Sequence, residues 1–306
     1  HKIGATPTDV YIYMDWRNIM QGLMRKQSRQ LEISNLVAML RSKVNISASQ
    51  DLFSGAQCDT HEALNFLLDL ICQYCMVPIA IGSESQYIKP LESPDIPDEV
   101  KMMYHHNSHL EIRKGYSAFT EHFFNTYLST IRCKSCNHCT YNLTPLSILN
   151  VPLVYSSSGA SLTECLGGFF NHEQLESYKC DKCTSASTSV LEKQLLTTSK
   201  TLVIELKRFI KTPIGGLAKN NVPIHFPAVL DMTPFVVDKS KPMRYHLNAV
   251  IVHASHRMDW GHYYCVCRKI GTETWLVCDD ERIHKASVDI ALAQKGAYIL
   301  FYTLEE

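Results

Sequence analysis

Apolar residues in the first third of the chain recur at helical spacing. Trp16, Ile19, Met20 and Leu23 share one helical face, and Ile33-Ser34-Asn35 reads as an N-terminal cap ahead of Leu36, Val37, Met39 and Leu40. This predicts two amphipathic helices. A third is predicted over 59–74, where Ala63, Phe66, Leu67, Leu70 and Ile71 make a stripe broad enough to face a core. Residues 84–119 carry Pro90, Pro94 and Pro97 and lose all periodicity, which predicts an irregular surface excursion. From Thr130 onward the pattern changes to short runs rich in β-branched and aromatic residues, separated by turn residues. Strands are predicted at 153–155, 195–198, 201–209, 246–253, 263–268, 275–278 and 297–302. One helix, at 161–170, interrupts them, entered through the capping box Ser161-Leu162-Thr163-Glu164. A helical front and a strand-rich back predict an α+β fold with segregated layers.

Composition narrows this picture. At 306 residues, 45% hydrophobic and 20% charged, the chain can bury a large core and is neither disordered nor of low complexity. Thirty basic residues balance thirty acidic ones, which argues against nucleic acid or anionic lipid as a partner. No run approaches the roughly 18 apolar residues of a membrane span, and the opening residues lack a signal-peptide core. An intracellular protein, cytoplasmic or nuclear, is expected. The start at His1 rather than Met suggests a native N-terminus further upstream.

Twelve cysteines at this length, without a secretory signal, suggest metal ligands and free thiols rather than a disulfide framework. Cys133-Lys134-Ser135-Cys136 and Cys180-Asp181-Lys182-Cys183 are two matched pairs, each able to place two thiolates on one side of a tetrahedral Zn²⁺. Four thiolates leave no open coordination position, so the metal would be structural. Four buried free cysteines are the plainer alternative. Cys139 repeats the same spacing from Cys136, so the register of the first pair stays open.

Gly261-His262-Tyr263 stands at the head of one predicted strand, and Asp279-Asp280 ends the next. A hairpin between them would set an imidazole beside a carboxylate, as a base and the group that orients it. Gly261 would allow a substrate backbone to approach closely. In a chain with 14 histidines, a structural His–Asp hydrogen bond is the competing reading.

The order of the surrounding segments adds a resemblance. Gln57-Cys58-Asp59-Thr60-His61-Glu62 opens the third helix, and the two Cys pairs follow. Then come the runs at 202–209, 245–253, 261–263, 275–280 and 297–302. From about Trp16 to the C-terminus this series resembles the ubiquitin-specific protease family of deubiquitinating cysteine proteases. The resemblance implies a papain-like fold with a helical thumb (about residues 1–125), zinc-bearing β fingers (about 126–200) and a β-rich palm (about 201–306), as one catalytic domain. It implies ubiquitin, or a ubiquitin-like modifier, as the partner. It matches His262 to the general base, Asp279 to its orienting residue and Asp280 to a second acidic position. Gly261, Tyr263, Gln57, Asp59 and Glu62 become candidates for contacting the modifier's tail. For Asp59 and Glu62, pairing with the helix dipole is an equal alternative. Departures are Cys58 in place of a second glutamine, Ala254 in place of a glycine, and Tyr264, Cys265 and Cys267 near the cleft.

The family's nucleophilic cysteine has no counterpart in residues 1–57, which contain no cysteine. The segment 15–24 fits the family's second thumb helix, and on that register the nucleophile belongs upstream of His1. Three readings follow: an upstream Cys, a pseudoenzyme that binds ubiquitin as a scaffold, or a substitute thiol, for which Cys58 is the candidate.

Overall fold

Three helices account for the periodic first part of the chain: α1 (Pro7–Arg25), α2 (Ser34–Val44) and α3 (Thr60–Tyr74). The computed structural model describes residues 7–25, 33–44, 52, 57–154, 159–184, 186–211, 216–257 and 260–305. The chain divides into two compact units, residues 1–77 with 117–119, and residues 78–116 with 120–306.

In the first unit, Ile12 of α1, Leu40 of α2, and Leu70 and Tyr74 of α3 are buried together, with Leu36, Phe66 and Leu67 packed against them. The apolar stripes read in α2 and α3 are faces that meet here, while α1 enters the cluster through Ile12 and Tyr13. The Trp16 ring stands edge-on to Phe119 at 5.6 Å. α3 starts where the Asp59 carboxylate accepts the His61 amide at 2.8 Å, satisfying an amide that lacks a helical partner.

The second unit corrects one expectation at once. Residues 84–119 form a single-turn helix at Glu84–Tyr87, then α4 (Asp98–Lys114) and α5 (Ala118–Phe123). α4 is polar around most of its circumference, with Val100 its one fully buried side chain, so it leaves no apolar stripe to read. Its signal lies in charge: Asp98 and Glu99 in the first turn and Arg113 and Lys114 in the last complement the helix dipole. Pro97, which looked like a breaker, stands at the helix entrance.

The chain continues through β1 (Asn125–Cys133), β2 (Cys139–Leu146), β3 (Ile148–Pro152), β4 (Ala160–Ser161) and α6 (Leu162–Phe169). Next come β5 (Glu173–Lys179), β6 (Ala186–Thr197), β7 (Thr201–Lys207), β8 (Phe209–Lys211), β9 (Leu217–Lys219), β10 (Ile224–His225) and β11 (Val229–Asp231). The last segment holds β12 (Arg244–His253), β13 (Tyr263–Arg268), β14 (Trp275–Asp279), β15 (Arg282–Ala286), α7 (Val288–Leu292) and β16 (Ala297–Leu304). The strand expected at 153–155 instead lies at β3 and closes at Pro152, while residue 155 falls outside the described residues.

Two hairpins, β1–β2 and β5–β6, join through β1 and β6 into an antiparallel sheet of order β2-β1-β6-β5. The larger sheet has order β15-β14-β13-β12-β16-β7-β3, with β11 on β12; β3 lies parallel to β7. One core holds this sheet together. Leu149, Val151, Leu202, Ile204, Val250, Val266, Trp275 and Leu300 are buried in it with Leu162, Cys165 and Leu166 of α6. The capping box is present as expected: Ser161 Oγ accepts the Glu164 amide at 3.1 Å, and Glu164 accepts the Ser161 amide at 2.7 Å. Among the described residues no helix is long and apolar enough to cross a membrane.

At the end of β7, Arg208 is 1% exposed. Its guanidinium donates to the carbonyls of Ala297 (2.6 Å), Val222 (2.9 Å), Asn220 (3.0 Å) and Lys295 (3.1 Å). Burial draws its pKa down to about 10, yet the four carbonyls keep the charged form in place.

Candidate active site and metal centre

β13 and β14 pair antiparallel with Cys265 opposite Cys278, Val266 opposite Val277 and Cys267 opposite Leu276. Val266 is wholly buried, so this register anchors one face of the hairpin in the core. His262 immediately precedes β13 and Asp279 closes β14, and His262 Nε2 hydrogen-bonds to Asp279 Oδ1. Asp280 begins the two-residue turn into β15, at φ 51°, a left-handed conformation that Asp tolerates better than most residues. Its Oδ2 lies 3.8 Å from the same Nε2. The imidazole is 45% exposed and the Asp279 carboxylate 41%, so both can be reached from solvent.

The hydrogen bond to Asp279 holds His262 above its ordinary value; slight burial opposes this and the Asp280 charge adds to it. When Nε2–H donates to Asp279, the lone pair of the neutral ring sits on Nδ1. The arrangement can therefore take a proton at Nδ1 while a carboxylate fixes the ring from behind.

The residues around His262 hold it through the backbone. A Cβ on Gly261 would come 2.2 Å from His253 Nε2 and 2.9 Å from Ser255 Cβ, so the fold itself requires glycine there. The Tyr263 ring lies 4.7 Å from that of His253. Tyr264 packs partly against the core and donates to Gln294 Oε1 at 2.6 Å. Three residues that the sequence did not single out secure this neighbourhood. Lys219 Nζ donates to the carbonyls of His253 (2.9 Å) and Ser255, and Asn221 Nδ2 donates to that of His256 at 3.0 Å. Arg208 ties the strand ends beneath them. Burial, together with the charge of Arg208, draws Lys219 down to about 8. A side chain bonded to backbone carbonyls leaves no partner residue to find in a sequence, which is why these three escaped notice.

Gln57, Asp59 and Glu62 lie in the first unit at the start of α3; Asp59 is its N-cap and Glu62 is in its first turn.

The metal candidates occupy the tips of the two hairpins. Cys133 ends β1 and Cys136 follows it in the turn to β2; Cys180 and Cys183 lie in the turn from β5 to β6. The turns are built alike. The Asn137 amide donates to the Cys133 carbonyl and the Thr184 amide to the Cys180 carbonyl, each at 2.9 Å. Asn137 (φ 58°) and Thr184 (φ 54°) are both left-handed. All four sulfurs lie within 4.8 Å of one another. The Cys133–Cys183 and Cys136–Cys180 separations are 3.9 and 3.7 Å. A tetrahedral zinc with Zn–S bonds of about 2.3 Å needs sulfurs about 3.8 Å apart, so the set fits that ion. Cys139 is outside the group, its sulfur 3.9 Å from the Asn137 carbonyl, so the cluster forms with Cys133 and Cys136. All twelve cysteines are free of disulfides.

A family model described as ubiquitin carboxyl-terminal hydrolase matches residues 3–302. Ubiquitin carboxyl-terminal hydrolase 5 of Saccharomyces cerevisiae is 26% identical over 269 residues, covering 80% of this chain and 32% of that protein. Ubiquitin carboxyl-terminal hydrolase 17-like protein B of Mus musculus is 31% identical over 179 residues, covering 57% of this chain and 36% of that one. This chain thus spans about a third of the length of the curated relatives it matches. Among solved structures, a SAGA Ubp8/Sgf11/Sus1/Sgf73 DUB module bound to ubiquitin aldehyde gives a TM-score of 0.66 at 22% identity, over 92% of this chain and 55% of that one. A yeast SAGA DUBm gives 0.68 at 21% identity, over 98% and 64%. The α+β fold is the one these structures share.

Proposed function

Because the chain belongs to the ubiquitin carboxyl-terminal hydrolase family, we propose that it is the ubiquitin-recognising domain of a thiol-dependent deubiquitinase, hydrolysing the bond after ubiquitin's C-terminal glycine. The observation that carries this reading is the His262–Asp279 pair, brought together by the hairpin at the place in the family's sequence order where base and orienting residue belong. A hydrolase of this kind needs a thiolate, a base beside it and a group that fixes the base. His262 supplies the base at Nδ1 and Asp279 fixes the ring through Nε2; Asp280 adds negative charge nearby. His262 would draw the proton from the thiol and later return it to the leaving amine. We place the thiol ahead of His1, since residues 1–57 contain no cysteine.

Residues of about 1–125, 126–200 and 201–306 correspond in this reading to thumb, fingers and palm. Gln57, Asp59, Glu62, Gly261 and Tyr263 would contact the modifier. Cys133, Cys136, Cys180 and Cys183 would hold a zinc ion that cross-links the two hairpin tips and takes no part in the reaction.

A second reading is a ubiquitin-binding scaffold without turnover. One experiment separates the two. The full-length protein, its His262→Ala variant and this chain are titrated with ubiquitin and assayed on a ubiquitin–fluorophore conjugate. The hydrolase reading expects binding by all three and turnover by the full-length protein alone, lost by several orders of magnitude in the variant. Binding with a silent full-length protein establishes the scaffold. No binding by any of the three removes both readings.

A further inference from the structure

Three cysteines that play no part in the proposed hydrolysis sit on the hairpin that carries His262 and Asp279. Cys265 and Cys267 alternate with the buried Val266, so their sulfurs share the opposite face of β13. Cys278 is the direct cross-strand partner of Cys265 and belongs to the same face. The next strand presents Ile251 opposite Cys265 and Ala249 opposite Cys267, so the row beside the thiols is apolar. All three thiols are half-buried, and none is among the four zinc-type cysteines.

We propose that this trio is an oxidation site, in which the Cys267 sulfur attacks a peroxide and the oxidising equivalent ends as a Cys265–Cys278 disulfide across the hairpin. The inference goes beyond the hydrolase reading and does not rest on it.

Cys267 stands two residues from Cys265 on the same face and diagonal to Cys278, so both thiols are its neighbours. Their hydrogen bonds, Cys265's first, bring Cys267 down to about 6, while burial pushes Cys278 up to about 11. One thiolate flanked by two thiols is the arrangement that reacts first and is then resolved. The thiolate attacks the peroxide; the O–O bond breaks and one oxygen leaves as water, giving Cys267 sulfenic acid. The Cys278 sulfur displaces the second oxygen, also as water, and forms a Cys267–Cys278 bond. The Cys265 sulfur then attacks the Cys278 sulfur and releases Cys267, the Cys265 proton passing to the departing Cys267 sulfur. In total two thiols lose two electrons and one peroxide becomes two waters. Backbone geometry selects the final pair. Directly opposed residues have Cα atoms about 4.5–5.5 Å apart, well inside the disulfide range of about 4.4–6.8 Å. Diagonal neighbours lie about 7–8 Å apart, which strains the first bond and drives the exchange.

The test is treatment of the zinc-loaded full-length protein with hydrogen peroxide, followed by mass spectrometry of unreduced peptides. The expected product is a Cys265–Cys278 cross-link, reversed by dithiothreitol. Cys278→Ser should trap a sulfenic acid at Cys267 that a sulfenic-selective nucleophile labels. Cys267→Ser and Cys267→Ala should each slow cross-linking about tenfold or more. A cross-link that forms at an unchanged rate in both Cys267 variants overturns the proposal, as does oxidation confined to cysteines outside the hairpin.

Discussion

His262 is raised by a partner, and that fixes the sign of its pH dependence. Below its folded midpoint the ring is an imidazolium bonded to Asp279; above it, the neutral ring can accept a proton. A raised folded pKa means that the pairing stabilises the fold fully below the unfolded value and ceases to as pH rises through the folded one. An NMR titration should place the His262 midpoint above about 6.5, and Asp279→Asn should bring it down further than Asp280→Asn does, because the direct hydrogen bond is the leading cause. Equal shifts from the two variants would contradict that order. Gly261 supplies a second test. Gly261→Ala forces its Cβ into the His253 ring and should cost about 1–3 kcal/mol in urea unfolding. A neutral result would mean that the loop yields freely. Both candidate catalytic residues were legible as types, because a Gly-His at a strand entrance and an Asp pair at the next strand's exit converge in any hairpin. The reason for the glycine was not legible, since its neighbour His253 lies eight residues away and meets it only in the folded loop.

Cys133, Cys136, Cys180 and Cys183 face one another across the two hairpin tips, so a metal held there should brace them. Purified without added metal, the protein should contain one zinc per chain by elemental analysis. Cys180→Ser should remove it and lower the unfolding free energy by about 3 kcal/mol or more. Retained zinc in that variant would point to other ligands. The cysteine spacing pointed to the four-sulfur cluster, yet the strands that carry it were largely missed. β5 (Glu173–Lys179) has no fully buried residue and only Leu175 and Tyr178 partly buried, so no alternation marks it. α4 hid for a related reason, having one fully buried residue in 17. β12 and β16, which run through the large core, were read to within two residues, because burial imposes an apolar pattern that the eye detects.

At the scale of the whole molecule the two units differ in how much they bury. The first has a small core of Ile12, Leu40, Leu70 and Tyr74, whereas the second is built on an extended cluster spanning seven strands of the larger sheet and α6. Amide exchange should therefore be markedly faster in α1, α2 and α3 than in β12 and β16; equal protection would show that the first unit gains its stability elsewhere. The α+β class was legible from the change of periodicity near Thr130, but the order of strands was not, because sheet order depends on contacts between distant segments. That order carries a kinetic consequence. The chain builds one hairpin tip, crosses into the large sheet as β3, returns to build the second tip, and re-enters the sheet as β7 beside β3. The two halves of the metal clasp thus remain apart until that parallel pair has formed, and parallel, long-range pairing is slow. In refolding from denaturant, capture of zinc should be a first-order late event whose rate no longer rises with zinc once the metal is in excess, so that the ion serves as a clock for completion of the sheet.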